Sequence, residues 1–280
     1  QVGLDKKNKI IAWDHHIVSQ PIFKGTGFEK VLVHNGIDKA SVEGVEDTLY
    51  QIPNMHVGLT DAKRPTRTLW WRAVGHTHTA YAMESMLDFI ATETNQDPIK
   101  LRLSMLKKSK DQKRMANVIK LAALKANWNK KLKPGHSVGF AAHKSFQSYV
   151  AHVVEVSKKQ DGTIQLEKVV SAVDCGLAIN PDVIKDQIEG GAVYGIGHVM
   201  RNEISLKKGS VEQNNFPDYP PLRMNDVGTF ETHIIPSKEA PTGVGEPGVP
   251  ASAPAYANAI AKLDQRVVEL PMSKQGIKFA

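Results

Sequence analysis

Glu246 stands in a setting that ordinary packing does not require. Residues 241–260 read PTGVGEPGVPASAPAYANAI. Gly243, Gly245 and Gly248 surround the carboxylate and Pro247 follows it, so the backbone there turns tightly and a partner can approach closely. A carboxylate mounted in this way suits general base chemistry, which needs one acceptor within hydrogen-bond reach of the proton it removes. The same glycines satisfy G-x-G-x-x-G, with Glu269 downstream where a ribose-binding acid would stand. The context for a dinucleotide site is wrong, however. The predicted strand 230–235 is separated from Gly243 by PSKEAPT, and Pro247 and Pro250 interrupt the helix that should open at the third glycine. Taken alone, a glutamate in a Gly/Pro loop is most often a solvated turn residue.

Two other polar side chains call for partners. Gln187 falls on the inner stripe of a predicted helix, among Ile184, Ile188, Gly191, Ala192, Gly195, Ile196 and Val199. An unpaired amide in such surroundings costs roughly 1–3 kcal/mol, so a partner must reach it. Arg72 follows two tryptophans in WWRAVG. Other candidates fall away. His15, His16, His76 and His78 have no third ligand at a zinc-like spacing. Cys175 is the sole cysteine, which rules out a disulfide framework or a cysteine-ligated iron–sulfur cluster within this chain.

The elements that must position these groups follow from periodicity. Residues 9–19 read as a strand, and 76–94 carry Ala80, Met83, Leu87, Ile90 and Ala91 at helical spacing. The entrance of that helix offers free amides and a positive dipole end, a natural place for an anion such as a cofactor phosphate. Residues 139–157 and 163–174 read as strands joined by the turn 159–162, and Asn180-Pro181 caps the Gln187 helix. An alanine-rich helix ending in NAIAKL lies behind the Glu246 loop. Lys133-Pro134-Gly135 reads as a linker, which divides the chain into units 1–133 and 134–280.

The charge is uneven. Residues 100–133 hold twelve Lys/Arg against the one acid Asp111, while the remaining chain holds 24 basic and 28 acidic residues out of a net +7. Met115, Val118, Ile119, Ala122, Ala123 and Ala126 share one helical face, so the lysines form the solvated side of an amphipathic helix. Only Trp128 could stack on a base, so a nucleic-acid partner is not expected. No apolar run is long enough to span a membrane, and 41% hydrophobic residues in 280 can fill a sizeable core.

Five ordered blocks carry a resemblance: WWRAVGHTHTAYAMES, DPIKLRLSML, VVSAVDCGLAINPDVIKDQIEGG, QNNFPDYPPLRMND and GVGEPGVPASAPAYANAI. The last is similar to GxGExGxPPxAPAxxNAI of the molybdenum hydroxylases, the xanthine dehydrogenase and aldehyde oxidase superfamily. Within that superfamily the chain most resembles the isoquinoline 1-oxidoreductase beta subunits and related aldehyde dehydrogenases. The resemblance implies an α+β fold of two-layer sheets with packed helices, part of a two-lobed molybdopterin-binding architecture. Residues 1–133 would belong to the first lobe, and 134–280 would form the second lobe with the catalytic glutamate loop. It also implies a molybdenum-molybdopterin cofactor, in cytosine dinucleotide form, with no protein ligand to the metal.

In that reaction Glu246 acts as general base while an aldehyde or a carbon of an N-heteroaromatic ring takes up water-derived oxygen. By the same resemblance, Arg72, Gly75, Gln187, Ser145, Phe146 and Gly245 contact the cofactor, and Trp71 and Val74 wall the substrate funnel. Two electrons would leave through [2Fe-2S] clusters on an iron–sulfur small subunit. The glycine-rich segments that hold the pterin from the other side do not occur here, so an amino-terminal half of the large subunit would complete the pocket. The alternative is a non-catalytic cofactor-binding fragment or assembly module that needs a partner chain. Relatives of this type are often exported to the periplasm, and the sequence leaves the compartment open.

Overall fold

The computed structural model describes residues 1–64, 66 and 68–280. Strands β1 (Val2–Leu4), β2 (Ile10–Ser19) and β3 (Asn54–Asp61) form a three-stranded sheet in that order, with β2 and β3 parallel. Helix α1 (Gly75–Glu93) lies against this sheet, and Met83, Leu87, Ile90 and Ala91 share a core with Trp13, Ile17 and Val45. The second sheet contains β4 (His136–Ser145), β5 (Ser148–Lys158), β6 (Ile164–Asp174) and β7 (Thr229–Ile234), in the order β7-β6-β5-β4. Three strands are antiparallel, while β7 joins β6 in parallel.

The stretch read as one strand over 139–157 is a hairpin. Phe146 and Gln147 both take positive φ, 50° and 62°, and reverse the chain between Ser145 and Ser148. A two-residue hairpin turn of this hand usually carries Asn or Gly, and neither is present to mark it in the sequence.

Helix α2 (Pro98–Ser104) leads into α3 (Lys110–Lys125), which starts on a capping box between Ser109 and Gln112. The inner face of α3, Met115, Val118, Ile119 and Ala122, packs on Phe140, Ala142, Val153, Val170 and Ala172 of the second sheet. This core spans residue 133: the basic helix lies before the linker but is covered by the sheet that follows it. Several of its cations are paired, among them Arg114 with Asp174 at 2.7 Å. Helix α4 (Pro181–Arg201) begins where Asn180 Oδ1 accepts from Val183 N at 3.2 Å. Helix α5 (Ser252–Ile260) is buried along its whole length and fills the core formed with Val154, Leu166, Ala192 and Ile196. Among the described residues no helix is long and apolar enough to cross a membrane.

Candidate functional site

The Glu246 loop follows β7, passes Cys175 just beyond the end of β6 and runs into α5. It is fastened from three elements. Thr242 N donates to the Cys175 carbonyl at 2.9 Å, and Ser148 Oγ donates to the Gly243 carbonyl at 2.6 Å. From the sheet floor, His152 Nε2 lies 2.9 Å from the Gly248 carbonyl and its Nδ1 lies 2.8 Å from Ser171 Oγ. A carbonyl only accepts, so Nε2 carries the proton and Nδ1 accepts from the serine. Gly248 sits flush against the Ile188 backbone of α4, where a Cβ would collide. With both ends held, the carboxylate between them has little freedom.

The turn carrying Arg72 approaches from the other side. Ala73 and Val74 adopt φ values of 71° and 47°, the left-handed region that costs non-glycine residues about 1–3 kcal/mol each unless the surroundings impose it. Those surroundings are specific. Thr77 Oγ1 donates to the Arg72 carbonyl at 3.0 Å, and Val74 N donates to the Trp71 carbonyl at 2.8 Å. The Ala73 amide donates to Glu246 Oε2 at 3.0 Å, and the Gly75 amide donates to Glu43 Oε1 at 2.7 Å. Gly75 must be glycine, since a Cβ there would enter the Ala40 carbonyl.

Arg72 Nε donates to the Gly245 carbonyl at 3.0 Å, and Nη2 donates to Gln187 Oε1 at 3.0 Å. Gln187 is half-buried, and the partner that the sequence demanded for it is this guanidinium. The structure thus brings Arg72, Gln187, Gly245 and Glu246 together with the turn ending at Gly75. Phe146 joins the group at its edge: its Cβ faces Gly243, and its ring lies 5.5 Å from His76. Ser145 is buried and its hydroxyl has no partner among the described residues. Trp71 packs on Tyr194 and His198, each at 4.8 Å between ring centres.

The helix entrance expected to receive an external anion is engaged by the chain itself. Glu43 takes the Gly75 amide and Glu246 takes the Ala73 amide. Burial, partly offset by the Gly75 and His76 amides, raises the Glu43 carboxyl to about 7. Burial also lowers His76 to about 4 and His143, 3.0 Å from it, well below the ordinary range. Burial likewise lowers His152 to about 4.

A histidine depressed in the folded state contributes stability above its unfolded value of 6.5, and that stability is lost as pH falls toward the folded value near 4. Glu43 acts in the opposite sense, losing stability as pH rises from 4.5 to about 7. The His152→Gln variant separates the two, because Gln can still donate to Gly248 but does not titrate. Thermal unfolding midpoints should therefore fall less for His152→Gln than for the parent as pH is lowered from 6.5 to 4. Parallel curves would refute the buried neutral assignment.

Sequence reasoning missed Glu43, His143 and the aromatic group Tyr194, His198 and Tyr219. Tyr194 and His198 lie four residues apart on α4, a spacing that could have revealed them, but Glu43 carries no local signal. A cleft of about 370 Å³ opens between Trp71, Tyr81, His198 and Tyr219, and another of about 360 Å³ lies on the Val74 and Gly75 side of Trp71. A larger cleft, about 680 Å³, is lined by Lys9, Tyr50, Gln96 and Leu101 and by none of the residues of the Glu246 site. Chemically, the site combines one fixed carboxylate, one guanidinium and an amide side chain beside open space, an arrangement fit to hold an oxygen-rich ligand and move a proton.

Comparison with known proteins gives the family and the fold. The family described as "Molybdopterin cofactor-binding domain" matches residues 69–228, more than half of the chain. The beta subunit of isoquinoline 1-oxidoreductase from Brevundimonas diminuta is 31% identical over 228 residues, 80% of this chain and 29% of that protein. A nicotinate dehydrogenase subunit from Pseudomonas putida is 26% identical over 251 residues, 82% of this chain and 21% of that protein. The chain therefore spans under a third of the length of these curated relatives. Among solved structures, quinoline 2-oxidoreductase from Pseudomonas putida 86 superposes with a TM-score of 0.74 at 11% identity, covering 94% of this chain and 58% of that one. Carbon monoxide dehydrogenase from Oligotropha carboxidovorans gives 0.72 at 12% identity, covering 97% and 59%.

Proposed function

The chain belongs to the molybdopterin cofactor-binding domain family of oxidoreductases, and from that premise we propose that it builds one wall of the molybdenum cofactor pocket of a hydroxylase, with Glu246 as general base. One observation carries the reading. Arg72 lies 115 residues from Gln187 and 173 from Gly245, yet both meet its guanidinium at 3.0 Å, beside a carboxylate fixed by the next amide.

The residues suit the cofactor. A side chain at Gly245 would meet nothing within 4 Å, so space stands open next to Glu246. Gln187 accepts through Oε1, and its amide hydrogens have no partner among the described residues. A guanidinium and a free amide NH₂ match the oxygen-rich rim of a pterin phosphate ligand. When bound, the molybdenum pterin would supply the acceptor for the two electrons of the oxidation. The chain's own residues do the remainder. Arg72 and Gln187 hold cofactor oxygens, Gly245 lets the cofactor lie close, and the Ser145–Phe146 turn approaches it from the sheet. Glu246, oriented by the Ala73 amide, takes a proton from the water-derived oxygen. Trp71 and Val74 wall the approach of an aldehyde or N-heterocyclic substrate, with the carbon beside the ring nitrogen as the reacting centre.

The finer points of the reading are a cytosine dinucleotide form of the cofactor, [2Fe-2S] clusters on an iron–sulfur small subunit, and completion of the pocket by the amino-terminal half of the large subunit. The names of the relatives as subunits of larger enzymes support a partner. Residues 1–133 would contribute the Arg72 turn to this pocket and residues 134–280 the Glu246 loop. In the assembled enzyme, Arg72→Ala is expected to lower bound molybdenum per protein by about 10- to 100-fold, the usual loss when a group orienting a bound metal centre is removed. Elemental analysis showing undiminished molybdenum would remove Arg72 from the cofactor site.

A further inference from the structure

The strained pair Ala73 and Val74 is gripped from two sides, and only one side belongs to the Glu246 loop. The other grip comes from Glu43, whose carboxylate accepts the Gly75 amide at 2.7 Å. Glu43 is itself firmly mounted. It follows the one-turn helix Lys39–Val42, its amide donates to the Lys39 carbonyl at 3.0 Å, and its own carbonyl accepts from Thr79 Oγ1 at 2.8 Å. The next residue, Gly44, has φ 85° and lies against His76, Thr79 and His143, so no side chain could be added there. Gly44 N donates to Asp47 Oδ1 at 2.9 Å, which closes the loop behind it. The Glu43 side chain is 30% exposed, and its Oε2 lies 3.8 Å from His76 Nε2.

We propose that Glu43 is a positioning residue of the Glu246 site. By holding Gly75 N–H it keeps the Ala73–Val74 turn left-handed, and that turn presents the Ala73 amide to Glu246 and the Arg72 guanidinium to Gly245 and Gln187. The proposal rests on the reading of Glu246 as base. Two carboxylates from distant parts of the chain grip alternate amides of one turn, and without the second grip the unfavourable backbone at Ala73 and Val74 is held only by the contacts to Glu246, Thr77 and Trp71 on its other side. Glu43 acts only through this turn.

The test uses the assembled, cofactor-loaded enzyme with three variants. Glu43→Ala removes the acceptor, Glu43→Asp shortens its reach by one methylene, and Glu43→Gln keeps an acceptor oxygen at the original distance. Amide exchange of the peptide spanning residues 71–77 is measured beside steady-state kinetics. Glu43→Ala is expected to speed that exchange and to lower kcat by about 10- to 100-fold with little change in KM, the scale expected of a misplacement near 1 Å. Glu43→Asp should fall between, and Glu43→Gln should restore both readouts to near the parent values. If Ala leaves exchange and kcat unchanged, or if Gln is no better than Ala, the proposal is overturned. Should the Ala variant fail to fold, the order of Gln above Asp decides the matter in the same way. Failure of the base assignment is distinguishable: it shows as an active Glu246→Gln enzyme, while the exchange readout still reports on the Glu43 grip.

Discussion

Glu246→Gln is expected to lower kcat by about 10²- to 10⁴-fold, the contribution of a positioned general base, while leaving bound molybdenum unchanged. The substitution is nearly isosteric, and its amide oxygen can still accept the Ala73 N–H that the carboxylate holds at 3.0 Å. The contacts of Arg72 to the Gly245 carbonyl and to Gln187 do not involve the Glu246 side chain, so the surrounding geometry has no cause to change. What is lost is the ability to accept a proton. Steady-state kinetics of the assembled enzyme, run beside elemental analysis, provide the check. A variant with kcat within about threefold of the parent would end the assignment, because a base contributes far more than that. A variant that loses molybdenum would instead place Glu246 among the cofactor contacts.

The second large effect concerns stability. Glu84 on α1 and Arg102 on α2 form an ion pair at 2.7 Å with side-chain exposures of 1% and 0%. Arg102 also donates to the Glu84 carbonyl at 2.8 Å and to the Pro98 carbonyl at 2.9 Å. The Glu84 carboxylate further accepts from Tyr50 Oη at 2.9 Å and from the Ala142 amide of β4 at 3.1 Å. Asn258 of α5 reaches the Glu84 and Phe140 carbonyls at 3.3 Å and 3.1 Å. One buried charge pair therefore ties α1 and α2 to β4 of the second sheet, and α5, which follows the Glu246 loop, bonds to the backbone of the same cluster. Glu84→Ala should cost about 3–5 kcal/mol, since it strands a buried guanidinium. Against a typical stability of about 5–15 kcal/mol this is a large fraction. The double change Glu84→Leu with Arg102→Met removes both charges and should recover most of that loss. Denaturant midpoints at constant slope measure both variants. If the double change is as unstable as the single one, the cost comes from packing rather than from an unpaired charge.

Legibility followed distance along the chain. The cap at Asn180-Pro181, the buried face of α3 and the Glu246 loop could be read because the residues that define them are neighbours or stand at helical spacing. Gln187 could be read as needing a partner from its apolar surroundings, but the sequence did not say that the partner would be Arg72. The hairpin at Phe146 and Gln147 was hidden because its turn residues are not turn formers; the tight β4–β5 pairing imposes their backbone. Glu43 was invisible for a related reason. Its neighbours read as a short helix and a turn, and its importance depends on Gly75 standing 32 residues away.

The sequence by itself singled out Arg72, Gln187 and Glu246 as the candidates for the proposed chemistry, Gln187 from its apolar surroundings and all three from the motif blocks that carry the family resemblance. It also gave several of the strands and amphipathic helices through their periodicities, while the class of fold came from the family resemblance. Only the tertiary structure decided how those residues are held. The amide that orients Glu246 and the carboxylate that braces the Arg72 turn come from segments joined solely by folding. A hydrogen bond between distant segments leaves no imprint on the spacing of either one.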